Sequence, residues 1–288
     1  MTSVPGPTTS FTPPRPTTLG RAAPQGRPAR VRAGWRAVAL PDEHGGWSLT
    51  AEPALLGLLV APSWAGAALA VAAMVAFVVR TPLKLVLVDR WRHRWLPRTR
   101  LAARIAAVEL LVLAALAALA GARAGWTWLV PVALAVPLVA VELWFDMRSR
   151  GRRLVPELCG AVGIAAVAAA VALAGGEGAR LAGALWLVLA ARSVATIPFV
   201  RVQITRLRRG TGPVALSDRA QLAGGAVALA SVAVSPAVAV GAGAVLGLTM
   251  LQSRGVRRPP VPAKTLGFRQ LGFGIGLVLV TAVGVWLA

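Results

Sequence analysis

Tyrosine is absent from this chain of 288 residues, cysteine occurs once and histidine twice. A lone Cys159, set in an apolar segment, excludes a disulfide framework and a cysteine-based zinc site. Aspartate and glutamate together number ten. There is no Walker loop, no metalloprotease motif and no serine nucleophile elbow. The alternation over roughly ten residues that marks membrane-spanning strands is missing too.

What is present is apolar. The chain is 57% hydrophobic, with a mean hydropathy of +0.69. Repeated apolar runs of about 18 or more residues mean transmembrane helices. With strands excluded, helices are the only structure that satisfies the backbone inside lipid. Of the 31 basic residues all but Lys84 and Lys264 are arginine. Alongside abundant Ala, Gly and Val, that bias points to a GC-rich bacterial genome. A net charge of +21 invites a nucleic-acid partner. The positions of the charges exclude it, because they have a topological explanation.

Residues 1–39, rich in Pro, Thr, Gly and Arg and without an apolar run, read as a disordered basic tail. Residues 40–288 read as one transmembrane domain. Its apolar segments fall at about 47–61, 65–80, 101–121, 126–146, 155–174, 180–201, 216–234, 237–251 and 266–287. Nine spans put 28 Lys and Arg on one side and two on the other, with Arg192 inside. The positive-inside rule then predicts a bacterial plasma-membrane protein with its N-terminus in the cytoplasm and its C-terminus outside. Eight tryptophans near span ends, Trp128 among them, read as an aromatic belt. The basic loops attract anionic lipid head groups.

The chain also repeats itself. Pro82, Arg90 and Arg92 share their spacing with Pro198, Arg206 and Arg208. Ser149 through Arg153 matches Ser253 through Arg258 with one insertion. Units of about 65–175 and 178–288 therefore form a parallel repeat behind one leading helix, and predict a central cavity open to the basic side.

Arg192 is the one cation placed well inside hydrocarbon, where its insertion costs at least ~2.5–3.5 kcal/mol. Helical spacing puts Thr196, Phe199, Gln203 and Arg206 on its face. Pro198 is expected to interrupt that helix. Guanidinium forks suit phosphate or carboxylate, so Arg192, Arg201 and Gln203, with Arg80 and Lys84, form a candidate anion site. The alternative is a buried ion pair of Arg192 with Glu109, Glu142 or Glu157. Glu142 and Asp146 share a helical face and suit a divalent cation such as magnesium, or a salt bridge to Arg150 or Arg192. Glu43 and His44 combine a carboxylate with an imidazole and suit acid–base work; the alternative is a helix start capped by Asp42. Glu52 lies within the first span and pairs with Arg192 or Arg80, or carries a proton. Gly272 and Gly276 have the spacing of close helix packing.

Leu40-Pro-Asp-Glu-His-Gly-Gly-Trp47, Arg80-Thr-Pro-Leu-Lys84, Pro156 through Ala161, and Arg192 through Arg201 together resemble the YwiC-like family of bacterial membrane proteins. That resemblance implies no activity. The layout also looks like the UbiA-type intramembrane prenyltransferases, which have nine helices and hold magnesium and a prenyl diphosphate through Asp-rich loops. Asp89 and Asp218 stand alone in the corresponding loops, with Arg80, Lys84, Arg201 and Arg206 where acids belong. The resemblance implies an anionic lipid gripped by arginines. A small-anion or proton-coupled transporter and a non-catalytic assembly subunit are the other two expectations.

Overall fold

A computed structural model describes residues 2, 38–40, 44–148 and 153–288, and all but the first of these belong to the unit Ala33–Ala288. The described residues of that unit form an all-helical bundle. Its helices are α1 (His44–Val60), α2 (Trp64–Trp91), α3 (Pro97–Ala124), α4 (Leu129–Met147), α5 (Leu154–Ala174), α6 (Ala179–Arg209), α7 (Val214–Val234), α8 (Ala239–Gly255) and α9 (Ala263–Trp286). A short 3-10 turn, Pro236–Val238, leads into α8. Among the described residues seven helices are long and apolar enough to cross a membrane, α8 being counted with the turn that leads into it as Pro236–Gly255. The exceptions have visible causes. Helix α1 has 17 residues, and α7 opens with Ser217, Asp218, Arg219 and Gln221.

Local chemistry sets the ends. The Ser63 hydroxyl accepts from the Gly66 N–H at 2.9 Å and caps α2. Pro97 opens α3, where its missing N–H costs nothing. Gly210, at φ 75°, ends α6 in the left-handed region that a side chain disfavours.

Two helices overrun their apolar segments. α2 continues to Trp91 and α6 to Arg209, although the apolar stretches cover only 65–80 and 180–201. Neither Pro82 nor Pro198 stops its helix, so the expected interruption at Pro198 does not occur. Proline removes only one backbone bond, here the donor to the Val194 carbonyl, and packed neighbours keep the rest of the helix in line.

The core lies where α1, α5 and α6 meet. Ala165, Ala168, Ala169 and Ala172 of α5 pack with Ala182, Leu185, Val188 and Ala191 of α6, and Leu56 and Val60 of α1 join them. Lipid tails are as apolar as these side chains, so close van der Waals packing of small residues drives this association. The sequence predicts a cavity between the halves; along this stretch α5 and α6 touch directly. Gly57 of α1 lets the helix approach Val171 of α5 more closely than a methyl group would permit. The aromatic belt loses one member: Trp128 is 3% exposed, packed in a cluster with Ala65, Ala68, Ala120 and Ala170.

Contacts between helix ends bring the basic connectors to one end of the bundle. Lys84 of α2 meets Asp146 at the end of α4, Arg201 of α6 meets Glu157 at the start of α5, and Arg257 after α8 meets Asp218 at the start of α7.

Candidate functional site

Midway along α6, Arg192 is buried against two other helices. Its Nη1 donates to Glu52 Oε2 of α1 at 2.6 Å, and its Nη2 donates to the Gln270 carbonyl of α9 at 2.9 Å. Both side chains of the ion pair are 5% exposed. Gly274, one turn beyond Gln270, faces the pair so closely that a Cβ there would collide with Glu52 Oε1 and Arg192 Nη2. Of the acids at hand, the guanidinium therefore takes Glu52, the partner that Glu52's position in α1 allowed, rather than Glu109, Glu142 or Glu157.

The pair is one-pronged. A guanidinium and a carboxylate can make two parallel bonds, yet Glu52 Oε1 and Arg192 Nε have no hydrogen-bond partner. Further orphans lie around the second half of α6. Gln252 of α8 donates to Thr196 Oγ1 at 3.1 Å, and its Nε2 lies 3.5 Å from Gln270 Oε1. Gln221 of α7 donates to the Ala195 carbonyl at 2.9 Å, and Gln203 donates to the Gly255 carbonyl at 2.9 Å. In all three amides the donor is used and the oxygen, Oε1, is buried without a partner. A buried polar group left unsatisfied costs about 1–3 kcal/mol. Several such groups where α6, α7 and α8 meet are a feature to be explained, since most buried polar groups are paired.

The other candidate cations are also met by acids. Arg80 Nη2 lies 2.7 Å from Glu142 Oε1 and 2.9 Å from Asp146 Oδ2, and Lys84 Nζ lies 2.9 Å from Asp146 Oδ1. Gly160 of α5 leaves room for the Glu142 carboxylate. Arg201 Nη1 meets Glu157 Oε2 at 2.7 Å. Arg206 donates to the carbonyls of Val256 and Arg258. The anion candidates thus lie in four places: Arg192 of α6 paired with Glu52 of α1, Arg80 and Lys84 of α2 against Asp146 of α4, Arg201 of α6 against Glu157 of α5, and Gln203 of α6 against the Gly255 carbonyl. A divalent ion at Glu142 and Asp146 would have to displace two cationic side chains. Among the described residues no group of three or more His, Cys, Asp and Glu gathers as a metal set. Glu43 and Arg150 lie outside the described residues, as does the side chain of His44, whose backbone opens α1.

Sequence reasoning missed Gln221, Gln252, Gln270 and Gly274. The three glutamines are visible in the sequence as isolated amides in or beside apolar runs. The spacing argument picks out Gly272 and Gly276 instead of Gly274, and those two meet nothing within 4 Å.

Residues 40–172 match the family model described as YwiC-like protein. The match takes in Glu52, Arg80, Lys84, Glu142 and Asp146 and ends within α5, before Arg192. No curated protein and no solved structure matches the chain.

Proposed function

We propose that this chain, YwiC-like over residues 40–172, is a multi-pass membrane carrier that moves a proton together with a small anion. All nine helices cross the bilayer in this reading, α1 and α7 included, and the charge asymmetry puts the basic end in the cytoplasm. The observation that carries the proposal is the one-pronged Glu52–Arg192 pair, buried between α1, α6 and α9.

Charge balance supplies the mechanism. With Glu52 ionised, the pair is neutral and Glu52 occupies the place an anion would take. Protonating Glu52 removes its charge and leaves Arg192 a buried cation without a counter-ion, a state that costs about 3–5 kcal/mol. An anion entering beside Arg192 restores neutrality. Proton and anion therefore bind together or not at all, and each blocks the other's solitary passage. Entry requires Glu52 to swing away from Arg192 and α9 to loosen at Gly274, where the helices touch.

The test is flux into liposomes loaded at neutral pH and exposed to an acid pulse, with chloride, acetate and inorganic phosphate as probes. One of these anions should enter with protons and without net current. Glu52→Gln should uncouple anion entry from the pH gradient, and Arg192→Gln should abolish it. Absence of flux for every probe, with protein correctly inserted, argues against the carrier.

A second reading keeps the UbiA-like layout, with a phosphorylated lipid bound at the basic end. Lys84, at the basic end and 39% exposed, favours it. A phosphorylated lipid co-purifying with the protein, and lost on Lys84→Ala, would support that reading over the carrier.

A further inference from the structure

The two directions along α6 from Arg192 differ. Toward the end away from the basic connectors, α6 presents Leu185, Val188 and Ala184, all fully buried against Leu56, Val238 and Val278. Toward the basic end come Thr196 and Gln203, with Gln252 and Gln221 leaning in from α8 and α7. Three unpartnered amide oxygens occur on that side. Ser217 adds a fourth oxygen: it is fully buried one turn nearer the α6–α7 connector than Gln221, and its hydroxyl has no partner either. From Arg192 to Gln203 is eleven residues, about 16 Å of helix.

The orphans share a chemistry. Each glutamine spends an N–H on a protein acceptor and leaves its oxygen unmet. Unmet oxygens, together with the unused donors of the Ser217 hydroxyl and Arg192 Nε, call for a small guest that both donates and accepts, and water makes about three hydrogen bonds in such places. The geometry points to a column of internal water along α6, running from the basic end to Glu52 and Arg192 and stopping at the apolar seal beyond. It gives protons a one-sided route to the pair. This inference deepens the carrier reading by naming the side from which Glu52 is protonated.

One apolar residue interrupts the polar line. Phe199 lies between Thr196 and Gln203, packed with Val202, Val256 and Leu266, and its ring borders Gly255. It is the point where the column narrows, and it is also a reporter. Hydroxyl radicals made by brief X-ray irradiation oxidise side chains next to ordered water, wherever they are buried. Phe199 is 6% exposed and Phe77 of α2 is 8% exposed, so bulk solvent reaches both equally little.

In the full protein in lipid nanodiscs, Phe199 should be oxidised severalfold faster than Phe77, while Leu185 and Val188 stay unlabelled. Gln252→Leu, which removes one acceptor and adds bulk, should lower the Phe199 rate and leave Phe77 unchanged. Equal rates at Phe199 and Phe77 in the unaltered protein overturn the column, with no variant needed. So does labelling at Leu185 equal to that at Phe199, because the path would then not be one-sided. The readout needs no transport: a dry Phe199 with proton-coupled flux sinks the column alone, and a wet Phe199 without flux sinks the carrier alone.

Discussion

Gly274 of α9 lies directly against the Glu52 carboxylate of α1, and no side chain fits between them. The third helix of the buried ion-pair contact is thus held by a residue chosen for what it lacks. Gly274→Ala should destabilise the protein by about 1–3 kcal/mol, the usual cost of overpacking. Gly272→Ala and Gly276→Ala, where nothing lies within 4 Å, should each stay within about 0.5 kcal/mol. Thermal denaturation in detergent compares the three; equal shifts would mean that α9 does not press on the pair.

The Glu52–Arg192 pair should be strongly non-additive. Removing either charge alone leaves the other buried and is expected to cost about 3–5 kcal/mol. Glu52→Gln combined with Arg192→Gln should cost clearly less than the sum of the two. A double-mutant cycle on unfolding in detergent measures the coupling, and additive losses would count against the pair as drawn.

Asp146 holds two cations at once while being 2% exposed, whereas Lys84 is 39% exposed. The two sides of that contact should therefore respond unequally. Lys84→Ala breaks a partly solvated pair and is expected to cost at most about 1 kcal/mol. Asp146→Asn takes a buried carboxylate from both Arg80 and Lys84 and should cost more. The ranking can be read from the same denaturation assay, at low and high salt, and a reversed order would place the weight of the cluster elsewhere.

Phe199→Ala should widen the path to Glu52 without touching a charge. Proton leak into liposomes is expected to rise, with the anion dependence of flux reduced. The matching change at Phe77, which packs edge-on against Trp47 at 5.1 Å, should affect stability and not leak. Equal leak in the two variants would remove Phe199 from the route.

How far the sequence carries is clearest residue by residue. Helix positions are legible because apolar runs and their Arg-rich flanks mark them, and α5 begins and ends within one residue of its apolar segment. The overrun of α2 and α6 is not, because Pro82, Pro198 and the arginines after them look like loop until their carboxylate partners are known. Arg192 stands out as a buried cation needing a partner. Which acid it takes depends on how the helices are arranged around α6, and hydropathy does not encode that arrangement. Glu109, one of its candidate partners, instead keeps a buried Oε2 without a hydrogen bond. The amide row is harder still. A single glutamine on an apolar helix is ordinary, and only the meeting of α6, α7 and α8 reveals three oxygens with nothing to accept.

The lengths of α2 and α6 carry one more consequence. At 28 and 31 residues they measure about 42 and 46 Å, against a hydrocarbon slab of about 30 Å. Their surplus lies at the arginine-bearing ends, which tolerate either head groups or bulk water. A thicker or thinner bilayer can therefore be met by these arginine-bearing ends entering or leaving the head-group layer, with the packed core unmoved, so the protein should keep its fold across lipids of differing chain length.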